Sequence, residues 1–446
     1  MKLSGRWTVL LIAFASACHS DDSVLGAPPF PSLTPTMMNV SAPTPYATAP
    51  AATTAAPPAT ILPTRTLTAH PDLKIREETV TLLAYPYDAF QRDARDRTFN
   101  IPYKKFDASA YSAAARAPIE RKFRAVVLEN DYLRLTFLPE LGGRLYQVLY
   151  KPTQQTIFYN NRVLKPSPWG PEQQGGWLAA GGMEWALPVN EHGYEWGMPW
   201  AYTVQRAADG ATISLWDSTE DNRVRARVDV TLPANSAYWI VHPRIENAMR
   251  AAVRLQFWIN AQIALGARHV SPDTEFILPT TNVFVHSTGN DFIPAAFVPG
   301  AAAKSPAEPM AWPHVAGRDL SRYANWHDYL GVFVLTPQAQ YVGAYNHSTE
   351  LGIVRVFPRE RAPGVKLFAF GPQFGGRKLF ADDGSDYFEL WGGLNRTFFQ
   401  SDDVTLGAGE AREWDEYWIP LAQTGGLSVA SLDAIIRWDR NGFLFR

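Results

Sequence analysis

Several ionisable residues in this chain stand beside aromatic or glycine residues, and each pairing fits a definite chemistry. Glu184 precedes Trp185 in a glycine-rich turn, Gly181-Gly182-Met183. A carboxylate there accepts sugar hydroxyls while an indole stacks on a pyranose face; the other reading is a turn carboxylate beside a core tryptophan. Arg144 follows Gly142-Gly143, where missing side chains admit a ligand or a backbone, and it serves equally as a strand-surface arginine. Glu389 sits among Tyr387, Phe388, Leu390 and Trp391. In a strand this apolar the carboxylate is either a cleft base or a group turned to solvent or Arg396. His347, beside Asn346, is a cleft imidazole or a turn cap. His192 lies within five positions of Glu191 and Glu195, but no second ligand motif accompanies them, so neither a metal nor another cofactor is expected.

The elements that must position these groups are strands. Of 446 residues, 46% are hydrophobic, 13% aromatic and 19% charged, enough apolar material for a large core. The 15 Trp, 18 Tyr and 24 Phe favour a pleated surface. A net charge of -2 offers no field for phosphate backbones, so nucleic acid is not an expected partner. Strands are predicted over Ala125 to Leu128 and Tyr132 to Leu138, joined at Asn130-Asp131, and over Arg144 to Tyr150, where apolar and polar residues alternate. Further strands fit Ala211 to Trp216, Val224 to Leu232, Tyr238 to Glu246, Val253 to Ile263, Tyr329 to Leu335, Tyr341 to Tyr345, Gly352 to Phe357, Lys366 to Phe370 and Tyr387 to Trp391. One helix is expected, Leu432 to Trp438, capped by Ser431. The pattern is that of an all-β fold, a large antiparallel sandwich.

Ahead of the strands, Lys2 and Arg6 precede an apolar run, Val9 to Phe14, then small residues and Cys18, the only cysteine. The run is too short to span a bilayer, and the pattern is that of a signal peptide, residues 1–18, ending in a lipobox. Cys18 is thus the expected lipidation site. Residues 19–70, rich in Pro, Thr and Ala, show no periodicity that could bury a face and read as an extended, disordered tether. The folded domain is expected over 71–446, outside the cytoplasm, held to a membrane through the lipid alone.

Within that domain, motifs occur in a telling order. Leu128-Glu129-Asn130-Asp131-Tyr132-Leu133 leads to Leu138-Pro139-Glu140-Leu141-Gly142-Gly143-Arg144. Gly181-Gly182-Met183-Glu184-Trp185, Pro188 and His192-Gly193 follow, then Tyr345-Asn346-His347, Pro363-Gly364-Val365-Lys366, Tyr387-Phe388-Glu389-Leu390-Trp391-Gly392-Gly393 and Trp414-Asp415-Glu416-Tyr417-Trp418-Ile419-Pro420. Over about 123–420 the series resembles the galactose-mutarotase-like (aldose 1-epimerase-like) superfamily and, within it, the bacterial domain of unknown function 5107. The resemblance implies a β-supersandwich with a sugar or polysaccharide ligand in a cleft.

Aldose mutarotation needs a base at the anomeric hydroxyl and an acid at the ring oxygen. The resemblance puts Glu389 in the base position with Trp391 beside it, and makes His192-Gly193 similar to a substrate-touching turn in sugar-phosphate epimerases. It aligns Phe257-Trp258-Ile259-Asn260-Ala261-Gln262 with the strand whose asparagine precedes the acid histidine. No histidine follows Asn260 here, so the acid would have to be His192, His242 or His347. Carbohydrate binding is therefore the leading expectation, with an epimerase-like or glycan-processing enzyme and a ligand-free scaffold as alternatives.

Overall fold

The structure is a computed structural model and describes residues 73–446 apart from 168, 195, 290–291, 301–304, 440–441 and 446. The expected signal peptide and tether, Cys18 included, lie outside the described residues. Two large sheets, of thirteen and nine strands, make up most of the rest, and their pairings are antiparallel except for Leu83-Ala84 beside Val163-Leu164. The expected all-β supersandwich is thus the architecture found.

The smaller sheet follows directly from alternation in the sequence. In Trp239–Asn247 every second residue is buried, so Trp239, Val241 and Ile245 face inward while His242, Arg244 and Glu246 face out. Four neighbouring strands of the larger sheet behave differently. Gly364–Ala369, Phe388–Gly393, Trp258–Ile263 and Trp177–Ala186 lie side by side in that order and are buried at every position. Their inner faces, including Leu367, Leu390, Ile259, Ala261 and Met183, share one core with Ile213, Val228, Val241 and Ile353 of the smaller sheet. Their outer faces are covered by loops and carry the polar residues described below.

Local chemistry explains the boundaries. The hairpin Ile119–Glu129 to Leu133–Leu138 turns where the Asn130 Oδ1 accepts the backbone N–H groups of Tyr132 and Leu133, at 2.8 and 2.7 Å. The strand expected over Val253 to Ile263 is two, Val253–Leu255 and Trp258–Ile263. Between them the Gln256 N–H turns to the Pro188 carbonyl and the Phe257 N–H to the Asn395 side chain. The expected C-terminal helix is instead a strand, Ile435–Asp439, paired with Gly442–Phe445. Ser431 does accept the N–H groups of Asp433 and Ala434, but the turn it caps feeds two β-branched residues that pair across a hairpin.

Glu184 is not in a turn either. It lies within the ten-residue strand Trp177–Ala186, whose glycines serve close approach: a Cβ on Gly182 would meet the Leu145 carbonyl oxygen at 2.6 Å, and one on Gly181 that of Tyr159 at 2.2 Å. Their φ values of 80 and 91° also break the strand's alternation, which lets Trp177 reach the same side as Glu184.

Candidate functional site

Strand register brings the outer-face polar groups together. Glu184 lies opposite Asn260, Asn260 opposite Trp391, Gln262 opposite Glu389, and Trp391 opposite Lys366. Directly opposed residues in antiparallel strands share a face, so four strands contribute to one cluster.

Glu184 is its most heavily bonded member. Oε2 accepts from the Arg144 guanidinium at 2.6 Å and from the Trp177 indole at 3.0 Å; Oε1 accepts from Asn260 at 2.9 Å and lies 2.6 Å from His192 Nδ1. Burial disfavours the ionised form, but the charges of Arg144 and His192, with the bonds from His192 and Trp177, outweigh it and hold the carboxyl down at about 2. Arg144, wholly buried, also donates to the Gly181 carbonyl at 2.7 Å. The preceding Gly143 makes room for Trp200, since a Cβ there would sit 2.9 Å from that ring. The arginine is therefore a fixed partner of Glu184 rather than an open contact beside a gap for ligand. His192 stacks on Trp177 with ring centroids 3.9 Å apart, so one nitrogen faces a carboxylate and the ring plane is set by an indole.

Glu389 stands in a different environment. Its Oε2 accepts the Trp391 indole N–H at 2.8 Å and its Oε1 the Asn260 amide at 3.3 Å, so one amide bridges both carboxylates. Burial raises its pKa, and the opposing influences of Lys366, His192 and the Trp391 bond do not cancel that rise. The two carboxylates are thus pushed apart, Glu184 down and Glu389 up, the direction of separation expected of acid and base partners. Around them Asn260 Oδ1 and both amide atoms of Gln262 are buried with no hydrogen-bond partner.

Three further groups complete the cluster. Lys366, 4% exposed, extends its ammonium over the rings of Trp391, Phe398 and Phe368, at 4.5, 4.6 and 5.2 Å. Burial lowers its pKa, and Glu389 and Glu191 only partly restore it. His286 packs edge-on against Phe333 and Phe398, with Nε2 3.9 Å from Glu191, and burial followed by the nearby lysine pushes its pKa well down. Tyr387, on the register of Glu389, has its hydroxyl pushed well up by burial and then by Glu389. Glu191 and His286 are the most exposed of these side chains, at 30% and 19%.

Of the residues singled out in the sequence, Arg144, Glu184, His192, Asn260, Glu389 and Trp391 meet here. Trp185 does not: it points to the opposite face, 2% exposed among core side chains, and its indole donates to the Gly143 carbonyl at 3.0 Å. Adjacent strand residues face opposite ways, so Glu184 and Trp185 do not share a ligand. His347 lies in the other sheet's neighbourhood, 2.9 Å from Glu275 and 3.2 Å from Arg322. His242 is also remote, bonded to Asp415 at 2.8 Å. Sequence reasoning missed Lys366, Gln262, Trp177 and His286. The available signal was a charge and an amide amid apolar strands, in Val365-Lys366-Leu367 and Ala261-Gln262-Ile263. Among the described residues no group of three or more His, Cys, Asp or Glu is arranged to hold a metal.

Comparison with known proteins adds the following. A TPR-domain containing protein from Parabacteroides distasonis shares the fold at 20% identity and a TM-score of 0.63, over 81% of this chain and 58% of that one. The chain thus spans less than two thirds of that protein. The Slr1438 protein from Synechocystis sp. PCC 6803 gives 13% identity and a TM-score of 0.49 over 67% and 96% of the two chains. A galactose mutarotase-like protein from Clostridium acetobutylicum gives 10% and 0.44 over 68% and 96%. The family profile described as the domain of unknown function DUF5107 matches residues 98–421, nearly all of the strands that build the two sheets and every residue of the cluster, and the chain belongs to that family.

Proposed function

We propose that the chain is an exported, lipid-anchored carbohydrate-binding protein and that the cluster of Glu184, Asn260, Gln262 and Glu389 holds the sugar. The carrying observation is the set of buried amide atoms without partners, Asn260 Oδ1 and Gln262 Oε1 and Nε2, beside two carboxylates. Buried polar atoms left unpaired are costly, and a ring of hydroxyls, each both donor and acceptor, satisfies them. The motif resemblance to the galactose-mutarotase-like superfamily supports a sugar as that ligand. Calorimetric titration of the full chain with a panel of free sugars tests the reading. Binding that weakens at least about tenfold in Asn260→Ala, the loss of one or two such bonds, is expected. A chain that binds no sugar, or binds equally well without the amide, overturns it.

A second reading, acid/base chemistry on the bound sugar, is favoured by one observation. His192, fixed by Glu184 and Trp177, packs at 5.3 Å from Trp391, whose indole holds the protonatable Glu389. The missing histidine after Asn260 is then replaced from the loop that follows Trp177–Ala186. Anomer exchange followed by NMR should be accelerated by the parent and not by Glu389→Gln.

A further inference from the structure

Lys366 is a cation of the cluster that rests on ring faces, with no hydrogen bond or ion pair to a described residue. Arg144 pairs with Glu184 and donates to the Gly181 carbonyl, with only its Nε left without a partner. Lys366, by contrast, makes no hydrogen bond or ion pair with any described residue, and its ammonium rests on three aromatic faces. Ring faces attract a cation far less than water does, so burying a lysine this way is a loss unless something else accepts its protons. The strand explains how it came to be there: Lys366 lies between Val365 and Leu367 of the core and opposite Trp391, which forces it outward onto the polar face.

From this geometry we infer that the ligand is an anionic sugar, and that Lys366 receives its carboxylate. The inference rests on the sugar-binding reading above and narrows it to uronic acids. A monoanion fits better than a phosphate ester. The ammonium supplies one positive charge, while Glu389 and Glu191, the carboxylates that act on it, repel a dianion more strongly than a monoanion. His286 feels the same ammonium and lies 3.9 Å from Glu191, and both side chains are partly exposed.

The test is calorimetric titration of the full chain with D-glucuronate and D-galacturonate, with glucose and galactose as neutral counterparts, and with glucose 6-phosphate. A charge-assisted contact predicts that a uronate binds at least about tenfold tighter than its neutral counterpart, and that Lys366→Met abolishes the difference. Neutral sugars bound as tightly as uronates would overturn the inference and leave the sugar site standing. Tightest binding of the phosphate ester would overturn the carboxylate assignment. No binding of any member would overturn both the inference and the sugar site. The parent's own preference decides the matter even if the variant does not fold.

Discussion

Two buried clusters in this molecule are built from the same parts and end differently. Between the sheets, Arg355 and Glu416 are both fully buried. The Glu416 Oε2 accepts Arg355 Nε and Nη2 at 3.1 and 2.8 Å and the Trp414 indole at 3.3 Å, its Oε1 accepts the Trp418 indole at 2.9 Å, and Arg355 Nη1 donates to the Gly364 carbonyl at 2.9 Å. Nothing in it is left over. The outer-face cluster also pairs an arginine with a glutamate under a tryptophan, Arg144, Glu184 and Trp177, yet leaves Arg144 Nε, Asn260 Oδ1 and both Gln262 amide atoms without a partner. A polar network that serves only the fold closes on itself, and one that waits for a ligand does not.

The largest effect should come from breaking the closed cluster. Arg355→Met strands an ionised Glu416 between the sheets and should cost about 3–5 kcal/mol in urea unfolding, with sugar affinity of the folded fraction retained. A loss of sugar binding without a loss of stability would dissolve the distinction between the two regions.

Within the open cluster the two carboxylates should respond to pH with opposite sign. Glu184 ionises more readily folded than unfolded, so its contribution, on the order of 3 kcal/mol, is present above the ordinary carboxylate value of 4.5 and is lost as pH falls toward about 2. Glu389 binds its proton more tightly when folded, so its contribution is present at low pH and is lost as pH rises above 4.5 through its raised value. Urea midpoints measured against pH should therefore show a flattened acid limb in Glu184→Gln. In Glu389→Gln, stability at neutral pH should equal or exceed the parent's.

The smallest effect separates support from contact. Trp177→Phe keeps the ring under His192 and removes the N–H bonded to Glu184, so stability should fall by about 1 kcal/mol while sugar affinity drops several-fold. Unchanged affinity would make Trp177 a packing residue only.

The division between what could be read from the residues and what could not follows strand geometry. Alternation exposed the hairpin at Asn130 and most strands, because a half-buried strand writes its faces into its sequence. Strands buried on both sides do not: Trp177–Ala186, dense in glycine, reads as a turn until the crossing backbones of Tyr159 and Leu145 are seen. Glu184, Asn260 and Glu389 were legible as carboxylates and an amide inside apolar runs. Which neighbour shares their face was not legible where glycines break the alternation, so Trp185 was expected in place of Trp177. Lys366 was not legible as a site residue because what brings it to the cluster is its place opposite Trp391 across a strand register.

The strand Trp258–Ile263 gives one face to the core, through Ile259, Ala261 and Ile263, and the other to the site, through Asn260 and Gln262. Such a strand works as a proofreader. A slip of one residue would drive both amides between the sheets and lift three apolar side chains into the polar cluster, so a misassembled site could not hide inside a stable molecule. Quality control that recognises exposed apolar surface would thereby also police ligand recognition, without ever sampling the ligand.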